Sequence, residues 1–238
     1  AISSDPRQRR WAVIHSNCGV DFARLLSGAN ATGKIFLLDR ESVIGYSDKT
    51  VKADLWGVVQ TRVRTFGKKL QEENGWANPS GCGDELDCIL WDSGQQELMI
   101  TEVKNGSNGG GGIYYAPLQV AAYHNAWCDF KNAANADQCS LWTGLTAMVR
   151  QKQLIGLLPK NDQLKWPDVP KGIGIRPVIV VPKLTRGGQT RSRLRAVHLA
   201  VANWCKENEY PSMDNLRIYD WTENRLVDIS KDLLSDCK

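Results

Sequence analysis

Two carboxylates and a lysine lie at a spacing that could bring them together at one end of a sheet. Asp87 belongs to the short apolar segment 84–91, and Glu102 and Lys104 belong to the short apolar segment 97–104. The residues between these segments favour a turn, so the pattern predicts a β-hairpin. Alternate side chains of a strand share a face, which puts Glu102 and Lys104 on one face and allows Asp87 to lie beside them.

This set of residues suits chemistry on phosphate. Carboxylate oxygens are hard ligands for Mg²⁺, which keeps several waters for substrate phosphates. Lys104 can hold or deprotonate an attacking water, or neutralise charge that builds on phosphorus. Glu85 lies two residues before Asp87 and therefore shares its strand face, which makes it a further candidate ligand. A hairpin with ordinary surface charges is the alternative interpretation.

A helix is predicted directly after the glycine-rich connection 106–112. Pro117 suits the first turn of a helix, and the Ala, Leu and Gln residues that follow favour a helix. Gln119 and Tyr123 are four residues apart and therefore share one helical face.

The hairpin that ends in Glu-x-Lys and the helix that carries Gln-x-x-x-Tyr resemble the PD-(D/E)XK nuclease superfamily, in its RecB-like branch. The resemblance covers 84–130 and implies an α/β fold with a restriction-endonuclease-like core, in which helices flank a central mixed β-sheet. It also implies a nuclease that depends on Mg²⁺ or Mn²⁺. By the resemblance, Asp87, Glu102 and the Val103 carbonyl bind the metal, while Gln119 and Tyr123 steady the site or the nucleic acid.

Many members of that family add a Glu or His from a helix before the first strand of the hairpin. The segment 51–70 has apolar residues at helical spacing and is the candidate for this helix. The acidic residue of this segment is Asp54. Asp54 and Glu85, which precedes Asp87 by two residues, are the two candidates for the additional ligand.

The distribution of charge indicates a polyanionic partner. Residues 171–195 contain seven basic residues and no acid, whereas 207–238 contain eight acids and four bases. A local basic excess is what phosphate neutralisation requires, although a solvated loop is the alternative. Trp76, in the loop before Asp87, is a candidate for base stacking. The candidate nucleic-acid-binding residues are Lys183, Arg186, Arg191, Arg193 and Arg195.

The remaining patterns predict a single domain over 1–238. Short strands are expected at 35–38 and 42–46, a buried strand at 175–182 parallel to the Glu102 strand, and helices at 140–158 and 192–208. The predicted parts are an N-terminal extension (1–50), a core (51–134 and 175–208), a helical insertion (135–174) and a C-terminal hairpin (209–238).

Composition narrows the class of protein. Hydrophobic residues at 42% and charged residues at 24% are typical of a soluble globular protein, and no membrane span or signal peptide is visible. Seven cysteines without a C-x-x-C spacing indicate reduced thiols and a cytoplasmic location. Because the chain begins at Ala1, the sequence is compatible with a domain excised from a larger parent protein, including a delivered toxin domain. A homodimer is also compatible with the sequence.

DNA is favoured over RNA as the substrate, because most relatives of this kind serve restriction, repair or recombination. Two other functions remain open. One is an RNase of the tRNA-cleaving toxin type on the same fold, and the other is a nucleic-acid-binding module without turnover.

Overall fold

The computed structural model of the protein describes residues 34–43, 49–76, 85–104, 111–133, 140–168, 173–181, 184, 189–222 and 225–234. These residues form a mixed six-stranded sheet flanked by helices, which confirms the predicted α/β class. The strands are β1 (Ile35–Val43), β2 (Glu85–Asp92), β3 (Glu97–Val103), β4 (Gly174–Val180), β5 (Arg217–Thr222) and β6 (Arg225–Asp228). The helices are α1 (Lys49–Asn74), α2 (Gly111–Tyr114), α3 (Ala116–Ala133), α4 (Ser140–Leu154), α5 (Asn161–Leu164), α6 (Gln189–Glu207) and α7 (Ser230–Leu234).

The order of the strands in the sheet follows their order in the chain. Strands β1, β2 and β3 pair antiparallel, β4 pairs parallel with both β3 and β5, and β6 pairs antiparallel with β5. The predictions of a β2–β3 hairpin and of a buried strand parallel to the Glu102 strand are therefore confirmed. Since β3 and β4 are parallel, their carboxyl ends meet at the same edge of the sheet.

Helices cover the face of the sheet to which Ile89 and Ile100 belong. These two side chains lie opposite each other in the β2–β3 register and join a core with residues of α1, α3 and α6. The apolar spacing that predicts helix 51–70 is reflected in α1, where Val59, Val63 and Phe66 are buried. On the other face, Cys88, Leu90, Met99, Val103, Val178 and Val180 form a second, smaller cluster.

The segment that contains α4 and α5 packs on the helical face through three tryptophans. Trp142 stacks on Trp166, with ring centroids 4.6 Å apart, and Trp166 meets Trp91 of β2 edge to face at 5.0 Å. The indole nitrogen of the fully buried Trp91 donates a hydrogen bond of 2.7 Å to the Leu164 carbonyl. This contact ties the predicted insertion to the hairpin that carries Asp87 and Glu102.

Two predicted elements have different bounds in the structure. The two short strands predicted at 35–38 and 42–46 are one strand, β1, with a register shift between Leu37 and Asp39. The helix predicted over 140–158 ends at Leu154, and a second, short helix, α5, follows it inside the predicted insertion. Among the helices of the described ranges, none combines the length and apolar character that a membrane crossing requires.

Candidate active site

Asp87 and Glu102 lie at the same end of the β2–β3 hairpin and on the same face of the sheet. The pairing of Ile89 with Ile100 and of Cys88 with Thr101, continued by one residue, places Asp87 opposite Glu102. Both carboxylates are buried, with 7% of Asp87 and 3% of Glu102 exposed. Buried carboxylates are costly unless other groups compensate their charge, so this end of the hairpin favours a positively charged partner.

The backbone of Val103 contributes to the same place. Its N–H donates a hydrogen bond of 2.8 Å to Oδ2 of Asp87, just beyond the Cys88–Thr101 pair of the ladder. The N–H and C=O of one strand residue point towards the same neighbouring strand. The Val103 carbonyl is therefore directed towards the side of β3 on which Asp87 lies.

Lys104 supplies the positive charge of the site. Its Nζ atom lies 2.5 Å from Oε1 of Glu102, and the lysine side chain is 15% exposed whereas the glutamate is 3% exposed. The Lys104 N–H also donates to the Val180 carbonyl at 2.8 Å, which fixes the backbone at the carboxyl end of β4. The ammonium group thus lies between a buried carboxylate and solvent.

The helix that carries Gln119 and Tyr123 packs across β3 and β4 on the face of the acids. Gln119 is half-buried, and its Oε1 atom is buried without a hydrogen-bond partner in the described part of the chain. Tyr123 is buried and stacks on Trp56 of α1, with ring centroids 5.8 Å apart. The Tyr123 ring therefore holds α1 against α3, while Gln119 keeps an acceptor available.

Of the predicted basic residues, Arg191, Arg193 and Arg195 lie in the first turns of α6, whereas Lys183 and Arg186 lie outside the described residues. The arginines do not form one stripe, because Arg191 and Arg195 are four residues apart and Arg193 points away from them. The Arg193 guanidinium lies over two rings, 5.4 Å from the centroid of Tyr114 and 5.7 Å from that of Trp76. This arrangement joins α6 to the segments on either side of the hairpin.

Glu85 and Asp54 are the two predicted candidates for a further metal ligand. Glu85 is the first residue of β2 and pairs with Val43, but its side chain, like that of Asp54 in α1, lies outside the described side chains. Among the described side chains, no three His, Cys, Asp or Glu residues are grouped so that they could hold a metal ion. The described oxygen donors are the two carboxylates and the Val103 carbonyl.

The sequence patterns did not identify one buried polar residue near the predicted Gln-x-x-x-Tyr motif. Tyr115 lies one helical turn before Gln119, is 1% exposed, and its hydroxyl has no hydrogen-bond partner among the described residues. Its spacing of four residues from Gln119 is the signal that could have identified it. His124, in contrast, is a packed histidine whose Nε2 lies 3.2 Å from the Ile175 carbonyl, and burial lowers its pKa below the usual value.

Comparison with family models, with curated proteins and with solved structures finds no match to this chain.

Proposed function

We propose that the protein is a metal-dependent nuclease with a restriction-endonuclease-like core. The observation that carries the proposal is the convergence of Asp87, Glu102, the Val103 backbone and Lys104 at one end of the β2–β3 hairpin. The order of the elements supports the same core, because a helix precedes the hairpin, and α3 then leads to a strand parallel to β3.

The donor atoms fit Mg²⁺ or Mn²⁺. Both ions prefer oxygen ligands, and Mg²⁺ is commonly bound through one or two carboxylates while its other positions hold water and substrate phosphate. Asp87, Glu102 and the Val103 carbonyl supply such oxygens, and Glu85 remains the candidate for a fourth. When bound, the metal would polarise the scissile phosphate and lower the pKa of a coordinated water.

The chain's own residues divide the remaining work. Val103 holds the Asp87 carboxylate in place through its N–H, so that the orientation of this ligand is fixed before substrate binds. Lys104 orients the attacking water, and the charge of its ammonium group stabilises the negative charge that develops on phosphate. Gln119, with its available acceptor, would position the water or the substrate backbone, and Tyr123 would hold α3 in register with α1.

Nucleic acid, with DNA favoured over RNA, is the proposed substrate. Helix α6 follows strand β4, whose carboxyl end lies beside Lys104, and its first turns carry Arg191, Arg193 and Arg195. Because Arg193 is held over the Tyr114 and Trp76 rings, its guanidinium is oriented before a phosphate arrives. Trp76 is partly buried, so the part of its ring that remains exposed could contact an unpaired base.

One set of incubations tests this function and separates it from its alternatives. Plasmid, linear duplex DNA, single-stranded DNA and tRNA are each incubated with Mg²⁺, Mn²⁺ or EDTA, and Glu102→Gln protein is the matched control. We expect metal-dependent cleavage of DNA that the control lacks. Cleavage of tRNA alone would instead support the RNase, and binding of nucleic acid without cleavage under every condition would support the non-catalytic module.

A further inference from the structure

The tip of α4 exposes three large aliphatic side chains within four residues. Leu154 is 86% exposed, Ile155 is 70% exposed and Leu157 is 67% exposed. The other exposed large hydrophobic residues of the described chain, Val58, Leu199 and Val227, lie singly on separate elements and are only 43–46% exposed. Scattered exposed aliphatic residues are ordinary, whereas a contiguous patch marks an interaction surface.

Helix termination explains the backbone at this tip but not its side chains. Gly156 has a φ of 76°, and hydrogen bonds run from Gly156 N–H to the Gln153 carbonyl and from Leu157 N–H to the Lys152 carbonyl. This is the Schellman motif, in which the residue after the glycine usually packs on an apolar residue of the last helical turn. Here those positions are Lys152 and Gln151, so the motif leaves Leu157 exposed.

The patch is held rigidly by the elements around it. Lys152 donates to the Leu38 carbonyl of β1 and lies 2.9 Å from Oδ1 of Asp39, and the Gln153 amide donates to the Pro159 carbonyl at 2.9 Å. A surface that is already ordered loses little conformational entropy when it binds a partner.

A cleft of about 570 Å³ lies beside the patch. Its lining includes the buried side chains of Phe36 and Leu158 and the exposed Leu157, so part of it is apolar. Lys34 and Lys165, both exposed, also line it, together with one acid, Asp162. The charged side chains that line the cleft are therefore two lysines and one aspartate.

We propose that this apolar patch and its basic cleft bind an acidic, apolar segment of a partner protein. A leucine- or phenylalanine-bearing segment would place one side chain in the cleft, cover Leu154 and Leu157, and bring carboxylates to Lys34 and Lys165. Ser93, in the turn between β2 and β3, lines the same cleft, which puts the surface at the opposite end of the hairpin from Asp87 and Glu102. At about 3.4 Å per residue, the two sites are about 17 Å apart or more along the strand.

The charges favour this occupant over two others. In a symmetric dimer each copy brings the same excess of lysine over aspartate to the interface, so the charges of the two copies would not be complementary. An anionic membrane would satisfy the lysines, but a concave cleft suits a single protruding side chain better than a bilayer surface. The proposal does not depend on the nuclease function.

The test uses a fluorescent helical peptide of leucine and glutamate, and a matched peptide in which lysine replaces glutamate. We expect the acidic peptide to bind the wild-type protein in an anisotropy titration and the basic peptide not to bind. The Leu154→Ser/Leu157→Ser protein should bind the acidic peptide about tenfold more weakly or worse. The control protein Val58→Ser/Val227→Ser should bind like wild type, and thermal unfolding verifies that every variant is folded.

A second variant tests the charges independently of the patch. Lys34→Glu/Lys165→Glu should lose affinity for the acidic peptide and gain affinity for the basic one. The proposal is overturned if the wild-type protein does not bind the acidic peptide, or if the Leu154→Ser/Leu157→Ser protein binds it equally well. It is also overturned if these two leucines are instead required for sedimentation with phosphatidylserine vesicles or for self-association in the ultracentrifuge.

Discussion

Two ion pairs lie at opposite ends of β3 and differ in what they connect. At the carboxyl end, Lys104, the residue after β3, pairs with Glu102 of β3. At the other end, Arg176 of β4 pairs with Glu97 of β3. Glu97 and Arg176 are 21% and 17% exposed, whereas Glu102 is 3% exposed, so the pair between near neighbours in the chain has the more deeply buried acid.

The Glu97–Arg176 pair has a structural purpose that the contacts make clear. It spans the parallel β3–β4 ladder, and Gly174, opposite Glu97, leaves room for the glutamate side chain. A Cβ atom at Gly174 would lie 2.9 Å from Cγ of Glu97. The Glu102–Lys104 pair joins residues two apart in the chain, and burial of its carboxylate costs free energy that an ion pair by itself does not always offset. The comparison supports a chemical role for the Glu102–Lys104 pair and a structural role for the Glu97–Arg176 pair, which holds β3 in register with β4.

Loss of the Glu102 charge should have the largest effect. We expect Glu102→Gln to lower nuclease turnover by about a thousandfold or more, because a metal ligand and the partner of Lys104 are lost together. The free energy of unfolding should change by less than about 1 kcal/mol, since Lys104 can turn its charge to solvent. Cleavage assays and urea unfolding measure the two effects. Turnover near the wild-type rate in Mg²⁺ would show that the Glu102–Lys104 pair has no catalytic role.

Lys104→Ala should lower turnover by about a hundredfold, the usual scale for the loss of a positioned charge or proton-transfer group. Metal affinity should survive in a calorimetric titration, because both carboxylates remain. Lys104→Arg is the matched variant, since it keeps the charge but changes its geometry. If metal affinity falls while cleavage persists, Lys104 acts on the metal site and not on the water.

Replacement of Arg191 and Arg193 by glutamine should weaken binding to duplex DNA of any sequence. Each phosphate contact that is lost should reduce the slope of log affinity against log salt by about 0.9. The measurement uses Glu102→Gln protein in EDTA, so that no cleavage occurs. Exposed arginines elsewhere, Arg64 and Arg150, provide the control double substitution and should leave the slope unchanged. If the two double variants have equal slopes, Arg191 and Arg193 do not contact phosphate, and the start of α6 is a solvated helix face.

The smallest effect is expected at the other end of β3, and on stability alone. Arg176→Met should reduce the free energy of unfolding by about 1–2 kcal/mol, because Glu97 keeps its charge in a partly buried place without its partner. Gly174→Ala should cost about 1 kcal/mol, since the flexible Glu97 side chain must move. Turnover of both folded proteins should equal that of wild type. A loss of turnover without a loss of stability would show that the Glu97–Arg176 end of β3 also contributes to catalysis.

Local patterns in the sequence predicted the elements that position the site. The apolar segments of β2 and β3, the helical spacing of α1 and the β-branched run of β4 each identify an element from neighbouring residues alone. The site residues Asp87, Glu102 and Lys104 followed from the hairpin, because pairing and alternation decide which side chains meet. The residue types indicated metal-assisted chemistry on phosphate, and the family resemblance added that the reaction is that of a nuclease.

Contacts between distant segments carry no comparable local signal. The prediction split β1 at its charged residues, yet Asp39 lies in an edge strand and pairs with Lys152 of α4, so a polar residue is accommodated there. The same limit applies to Arg193, whose two aromatic neighbours come from elements far away in the chain. The exposed tip of α4 was predicted as part of a helical region, because leucines at this spacing normally face a core.

The stacked tryptophans Trp142 and Trp166, together with Trp91, give the molecule a built-in optical reporter. Near-ultraviolet circular dichroism depends on the fixed asymmetric packing of aromatic rings, whereas the far-ultraviolet signal depends on backbone structure. If α4 and α5 separate from the hairpin, the indole rings lose their mutual orientation while the strands keep their ladder. A near-ultraviolet change that precedes the far-ultraviolet change on heating would therefore report that this segment detaches before the sheet melts.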